Sequence, residues 1–220
     1  MSTPLRILIT GFGPFPGAPF NPTQRLVLDL VRLRRPAFAG VERIGHIFTV
    51  SYADVDRDLP RLIAQHRPDA LLMFGLAART PHIRIETRAR NAMSMLWPDA
   101  AGTIIRRGTI EPGMDAQAFG PHTARLLRAA KTTRADVRAS RDAGRYLCNY
   151  LGWRGIEAAR APGGPRFAAF VHVPLVARHP RSPGMAIPVL TSTCAAILLE
   201  VIRLARAGRN IQFQREPATV

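Results

Sequence analysis

Two hydrophobic periods alternate along this chain, short apolar runs suited to strands and longer stretches with apolar residues three and four apart. Residues 6–10 predict a first strand, and Gly11 to Pro22 a loop rich in glycine and proline. Leu26, Leu30 and Leu33 fall at helical spacing and predict a helix over 23–33. A strand over 43–50, a helix over 54–65 with an acidic first turn, and a short buried strand over 70–74 ending at Gly75 follow. Residues 82–91 alternate strictly, with Ile83, Ile85, Thr87 and Ala89 on one face and Arg84, Glu86, Arg88 and Arg90 on the other. The stretch 97–114 reads as loop with a short hairpin around 103–109. Beyond it the pattern predicts a helix over 116–130, a strand over 137–140 and a helix over 143–159. A strand over 167–173, stopped by Pro174, and a last helix over 188–207 complete the series.

Strands alternating with helices predict an α/β fold: a single three-layer domain over residues 1–208, with a mostly parallel twisted sheet and helices on both faces. Residues 209–220 read as a loose C-terminal tail. In such sheets ligands bind beyond the carboxyl ends of the strands. Three segments there carry suggestive chemistry: the loop Gly11 to Pro22, the segment Arg141 to Cys148, and the strand end at His172.

Composition changes this picture modestly. The formal charge is +16, yet Lys131 is the single lysine and the arginines are scattered rather than gathered into a block. A nucleic-acid footprint would concentrate them on one face, so the expectation is weak adhesion to polyanions and no specific nucleic-acid partner. Residues 1–10 lack a secretory h-region, and the most apolar helical stretch, 195–205, is short for a membrane span and carries Glu200 and Arg203. Cys148 and Cys194 are spaced for neither a zinc site nor a disulfide framework. A reduced, cytoplasmic thiol is the simpler reading.

Cys148 falls in the first turns of a helix that follows a strand, where the positive end of the helix dipole favours thiolate, the nucleophilic form. The alternative is a buried structural cysteine. Cys194, among Ala195, Ala196 and Ile197, reads as core. His172 interrupts the apolar run 168–174 and needs a partner, either as a hydrogen-bonded core histidine or as a base delivered at the strand end. Glu86 is the candidate orienting acid; the competing reading is a surface carboxylate among arginines. If Glu86 faces a site, Arg84 and Arg88 face it too unless a bulge or bend separates them.

Three segments together resemble the pyroglutamyl peptidase I family of cysteine peptidases: Thr10-Gly11-Phe12-Gly13-Pro14-Phe15 with Asn21-Pro22, Asp142-Ala143-Gly144-Arg145-Tyr146-Leu147-Cys148-Asn149, and Phe170-Val171-His172-Val173-Pro174. A weaker match runs from Gly75 through Glu86 to Asn91, and Trp97-Pro98-Asp99 resembles a further loop of the family. The resemblance implies a triad of Cys148, His172 and Glu86 acting through an acyl-enzyme to remove an amino-terminal pyroglutamyl residue, with no cofactor. It also implies a substrate pocket including Phe12, Phe15, Thr49, Leu76, Tyr146 and Leu147. The chain departs from many members at Leu76, where they carry glutamine, and at about Leu96, where they carry arginine. The segment between Arg79 and Glu86 is also one residue longer. Those departures leave open a same-fold amidase for another small N-acyl or lactam-capped substrate, or a noncatalytic peptide-binding relative. The implied partner is a peptide with a blocked amino terminus, in a chain that acts alone or as a homo-oligomer.

Overall fold

The computed structural model describes residues 4–213 apart from 16, 178 and 180–182, with 209–213 described by their helical backbone alone. Strand β1 (Leu5–Phe12) is followed by helix α1 (Pro22–Arg32), and β2 (Val41–Phe48) by α2 (Tyr52–His66). Strand β3 (Ala70–Leu76) leads to β4 (Ile83–Glu86) and the two-residue strands β5 (Arg88–Ala89) and β6 (Gln117–Ala118). Helix α3 (His122–Lys131), β7 (Val137–Ser140), α4 (Leu147–Arg160), β8 (Ala168–Val173) and α5 (Ile187–Phe213) complete the order.

Six strands form one sheet in the order β2-β1-β3-β8-β4-β7. The first four are parallel, whereas β4 pairs antiparallel with β8 and parallel with β7. Two of the six strands therefore run against the rest, and the carboxyl end of β7 does not share an edge with those of β1, β3 and β8. The chain returns to that edge only through residues 141–146.

Each face of the sheet buries its own apolar set. Leu5, Ile7, Ile9, Leu72, Phe74, Val171, Ile83 and Ile85 pack under α1, α3 and α5. Leu8, Leu71, Met73 and Phe170 pack under α2 and α4. Alternate residues of a strand point to opposite faces, so the strictly apolar runs 70–74 and 168–171 supply both cores at once. Helix α5, far longer than the stretch 195–205, is long and apolar enough over Ile187–Gly208 to cross a membrane. Here it is a core helix: Leu190, Cys194, Ile197, Leu198, Val201 and Ile202 are buried against the sheet, and Glu200 pairs with Arg125 at 2.7 Å. It continues to Phe213, past the expected boundary at 208; residues 214–220 lie outside the described residues.

Three local expectations change. The helix expected over 116–130 begins at His122, because Gly120 has φ 118° and Pro121 follows, while Gln117–Ala118 pairs with β5. No strand forms around 103–109; Asp99 organises the start of that loop, its Oδ1 accepting from the backbone N–H groups of Ala101 and Thr103. The alternation over 82–91 breaks at Thr87. Ile83 and Ile85 lie in the α1/α3/α5 core, but Ala89 lies in the α2/α4 core.

Candidate active site

That break decides which arginine accompanies Glu86. Arg88 turns outward, its Nε donating to the Arg141 carbonyl at 2.8 Å. Arg84 stays with Glu86, two residues apart on one face of β4. Arg84 is the register partner of His172 on β8, and His172 is in turn the partner of Gly75 on β3. Register partners project to the same side of a sheet. Arg84, Glu86, Phe170 and His172 therefore share the α2/α4 face, and Gly75 leaves a gap in it.

Cys148 fills that gap. A methyl group at Gly75 would stand 2.6 Å from Cys148 Sγ and 2.9 Å from Phe170 Cζ, so only glycine admits the thiol here. Helix α4 starts at Leu147, four residues later than the pattern predicts, which makes Cys148 the second helical residue. The turn before it explains the late start: Asp142 Oδ1 accepts the Gly144 N–H at 2.9 Å, and Gly144 takes φ 83°. Asn149 fixes the helix to the strand region beyond Glu86. Its side-chain oxygen accepts the Arg90 N–H at 2.8 Å, and its amide donates to the carbonyls of Arg90 and Ala92.

His172 Nδ1 lies 2.7 Å from Glu86 Oε1, with both side chains buried. An ionised carboxylate only accepts, so Nδ1 carries the proton and Nε2 keeps its lone pair. Burial pulls the imidazole below its ordinary pKa, opposed by the Glu86 hydrogen bond, so the ring is neutral near pH 7. Glu86 is fully buried, which overturns the picture of a surface carboxylate on a solvated strand face. The Cys148 thiol is pushed up to about 12, first by burial and then by the Glu86 charge; Arg84 and the Leu76 backbone N–H act the other way. Burial and Glu86 thus act against the helix terminus, which favours thiolate.

The other expected residues surround this group unevenly. Phe12 and Leu147 are buried, with Phe15 and Tyr146 packed partly buried against the same cluster. The Phe12 and Phe48 rings stand 6.0 Å apart and tilted. Tyr146 donates from its hydroxyl to the Pro98 carbonyl at 2.8 Å, tying the loop around Pro98 to the start of α4. Leu76 ends β3 beside the thiol, with its side chain half-buried. Thr49 is exposed just past the end of β2, and Leu96 is 84% exposed. Residues not singled out in advance also shape the site. Phe170 floors it, its ring centroid 5.0 Å from that of His172. Asn21 caps α1 by accepting from the Thr23 N–H and donating to the Gly13 carbonyl, which anchors the loop that carries Phe12 and Phe15. A glycine closing an otherwise apolar strand was the signal available for Gly75. Among the described residues no cluster of histidine, cysteine and carboxylate groups could hold a metal ion.

Comparison with known proteins accords with this geometry. The pyroglutamyl peptidase family model matches residues 5–204. The pyrrolidone-carboxylate peptidase of Gloeobacter violaceus is 32% identical over 211 residues, covering 94% of this chain and 100% of its own. That of Pyrococcus furiosus is 27% identical over 202 residues, covering 91% and 96%. The solved pyrrolidone carboxyl peptidase of the keratin-degrading bacterium Fervidobacterium islandicum AW-1 superposes with a TM-score of 0.80 at 26% identity, over 90% of this chain and 99% of that one. With its six-stranded sheet, its flanking helices and a match along nearly its whole length, the chain belongs to the pyroglutamyl peptidase family.

Proposed function

We propose that this chain removes an amino-terminal pyroglutamyl residue from peptides, with Cys148 as nucleophile, His172 as general base and acid, and Glu86 as the orienting carboxylate. One observation carries the reading: Cys148 Sγ rests over Gly75, the strand neighbour of a neutral histidine whose Nδ1–H is held by a buried glutamate. Nε2 of His172 takes the thiol proton as Sγ attacks the amide carbonyl. Glu86 stabilises the imidazolium that forms. The first-turn N–H groups of α4 have no intrahelical acceptor and sit at the positive end of its dipole, which suits them to receive the oxyanion. The imidazolium then protonates the leaving amine. Water attacks the acyl-enzyme with Nε2 as base, releasing the pyroglutamyl acid and restoring the thiol.

A pyroglutamyl ring is flat, neutral and without an α-ammonium group, so apolar walls suit it better than an acidic anchor. Phe12, Phe15, Tyr146 and Leu147 supply those walls in this reading, with Leu76 and Thr49 at the margin. Leu76 brings its backbone N–H to the thiol and has no side-chain hydrogen bond to offer the lactam, which favours, as a second reading, some tolerance for other small N-acyl caps. Two free cysteines fit a reducing compartment, and we place the protein in the cytoplasm.

The test is release of a fluorescent amine from a pyroglutamyl amide under reducing conditions. Wild type should release it, and Cys148→Ala should lose at least about a thousandfold in kcat/KM while keeping its fold. Full activity in Cys148→Ala would remove the mechanism. Release from acetyl or other N-acyl amides but not from the pyroglutamyl amide would favour the second reading.

A further inference from the structure

Arg84 stands among the candidate catalytic groups, yet the acyl-transfer steps leave it without a task. Its Nε lies 3.3 Å from Glu86 Oε1, and its Nη2 lies 3.2 Å from His172 Nδ1. Its side chain is 21% exposed, whereas that of Glu86 has no exposure at all. Glu86 Oε2 has no hydrogen-bond partner, so Oε1 alone carries the local compensation for a buried charge. A buried carboxylate charge is costly unless a cation or donor stands beside it, and Arg84 supplies the cation.

A carboxylate seated against Nδ1 holds the imidazole proton there and leaves Nε2 its lone pair to receive the thiol proton. Whether the ring is a base toward Cys148 therefore depends on how Glu86 is held.

Resting on the reading of Cys148, His172 and Glu86 as the catalytic groups, we propose that Arg84 is a positioning residue. Its guanidinium compensates the buried Glu86 carboxylate and seats it against Nδ1 of His172, so that Nε2 is the nitrogen left basic toward the thiol. The guanidinium touches neither substrate nor nucleophile in this arrangement; it acts through Glu86 and His172. Three sheet and helix elements bring charge to the group: β4 with Arg84 and Glu86, β8 with His172, and α4 with Cys148. The loop before α4 adds Asp142, whose Oδ2 is paired with Arg90 at 3.0 Å. Asp142 acts on His172 in the sense opposite to Arg84.

The experiment uses the full chain carrying Cys194→Ala, so that Cys148 is the single thiol. Alkylation of Cys148 by iodoacetamide and hydrolysis of a pyroglutamyl amide are each followed against pH. Arg84→Gln and Arg84→Met remove the charge, the second keeping the bulk of the stem; Arg84→Lys restores the charge. Loss of the positive charge raises the imidazole pKa, so the acid-side midpoint of both profiles should move up by about one unit, with a plateau rate roughly tenfold lower. Arg84→Lys should return the midpoint to its wild-type position. Asp142→Asn should move it the other way. Wild-type midpoints in folded Arg84→Gln and Arg84→Met would overturn the proposal, as would loss of fold in both, which would make Arg84 a packing residue. A wild type that alkylates but does not hydrolyse the amide would count against the substrate reading alone. The alkylation profile then still decides the role of Arg84.

Discussion

The two faces of the sheet carry one cysteine each, and they treat it oppositely. On the α1/α3/α5 face, Cys194 is fully buried among aliphatic side chains, and burial alone raises its thiol pKa. On the α2/α4 face, Cys148 also has a raised thiol pKa, yet a backbone N–H, the Arg84 cation and the Glu86 carboxylate that holds His172 all act on it. Both are withdrawn from water, Cys194 wholly and Cys148 in part. What separates an inert thiol from a candidate nucleophile is the set of polar groups buried with it, since reactivity follows the environment of the sulfur more than its exposure.

The comparison breaks most severely at the base. His172→Ala should lower kcat/KM by about two to four orders of magnitude and slow alkylation of Cys148 near neutral pH, leaving a thiol hardly more reactive than Cys194. Unchanged alkylation kinetics would make His172 a core histidine. Gly75→Ala comes next. Its methyl group would overlap Cys148 Sγ and Phe170, so the thiol must move, and kcat should fall roughly a hundredfold while the α1/α3/α5 face is undisturbed. Turnover at the wild-type rate would show that the close approach does not set the position of the sulfur.

A change of pH sharpens the comparison more gently. His172 and His122 are both held below the ordinary histidine value by burial, so the folded chain binds fewer protons than the unfolded chain just below pH 6.5. Stability should therefore be full above about pH 6.5 and decline as the pH falls below it. The acid limb of activity should lie below 6.5 as well. Thermal melts and kcat/KM measured between pH 4.5 and about 8 check both, and a limb above 6.5 would mean that His172 is more solvated than its surroundings indicate. Smallest is Cys194→Ala, expected to cost on the order of 1 kcal/mol of stability and nothing in turnover. A loss of activity there would bring the α1/α3/α5 face into function.

Much of the architecture was legible in the sequence because buried strands announce themselves. Runs such as 70–74 and 168–171 are apolar on both faces, and α1 and α2 show clean helical spacing. The direction of β4 was not legible, since side-chain period is the same in parallel and antiparallel strands. Nor was the burial of Glu86, which depends on His172, 86 residues away, and on the break at Thr87 that parts Arg84 from Arg88. Cys148 and His172 could be singled out by local context, but that the thiol rests over Gly75, the strand partner of His172, is a fact of register. The helix terminus before Cys148 was legible, whereas the enclosure and the nearby carboxylate that push its thiol pKa up were not.

Strand β8 sits between β3 and β4, two strands made long before it. A chain emerging from the ribosome thus carries Glu86 and Cys148 before His172, and the slot between β3 and β4 stays open until residues 168–173 arrive. Closing that slot requires pairings of long sequence separation, the slowest kind to form. Under the proposed mechanism, catalytic competence coincides with completion of the central sheet, and a chain that stops short of β8 lacks its base.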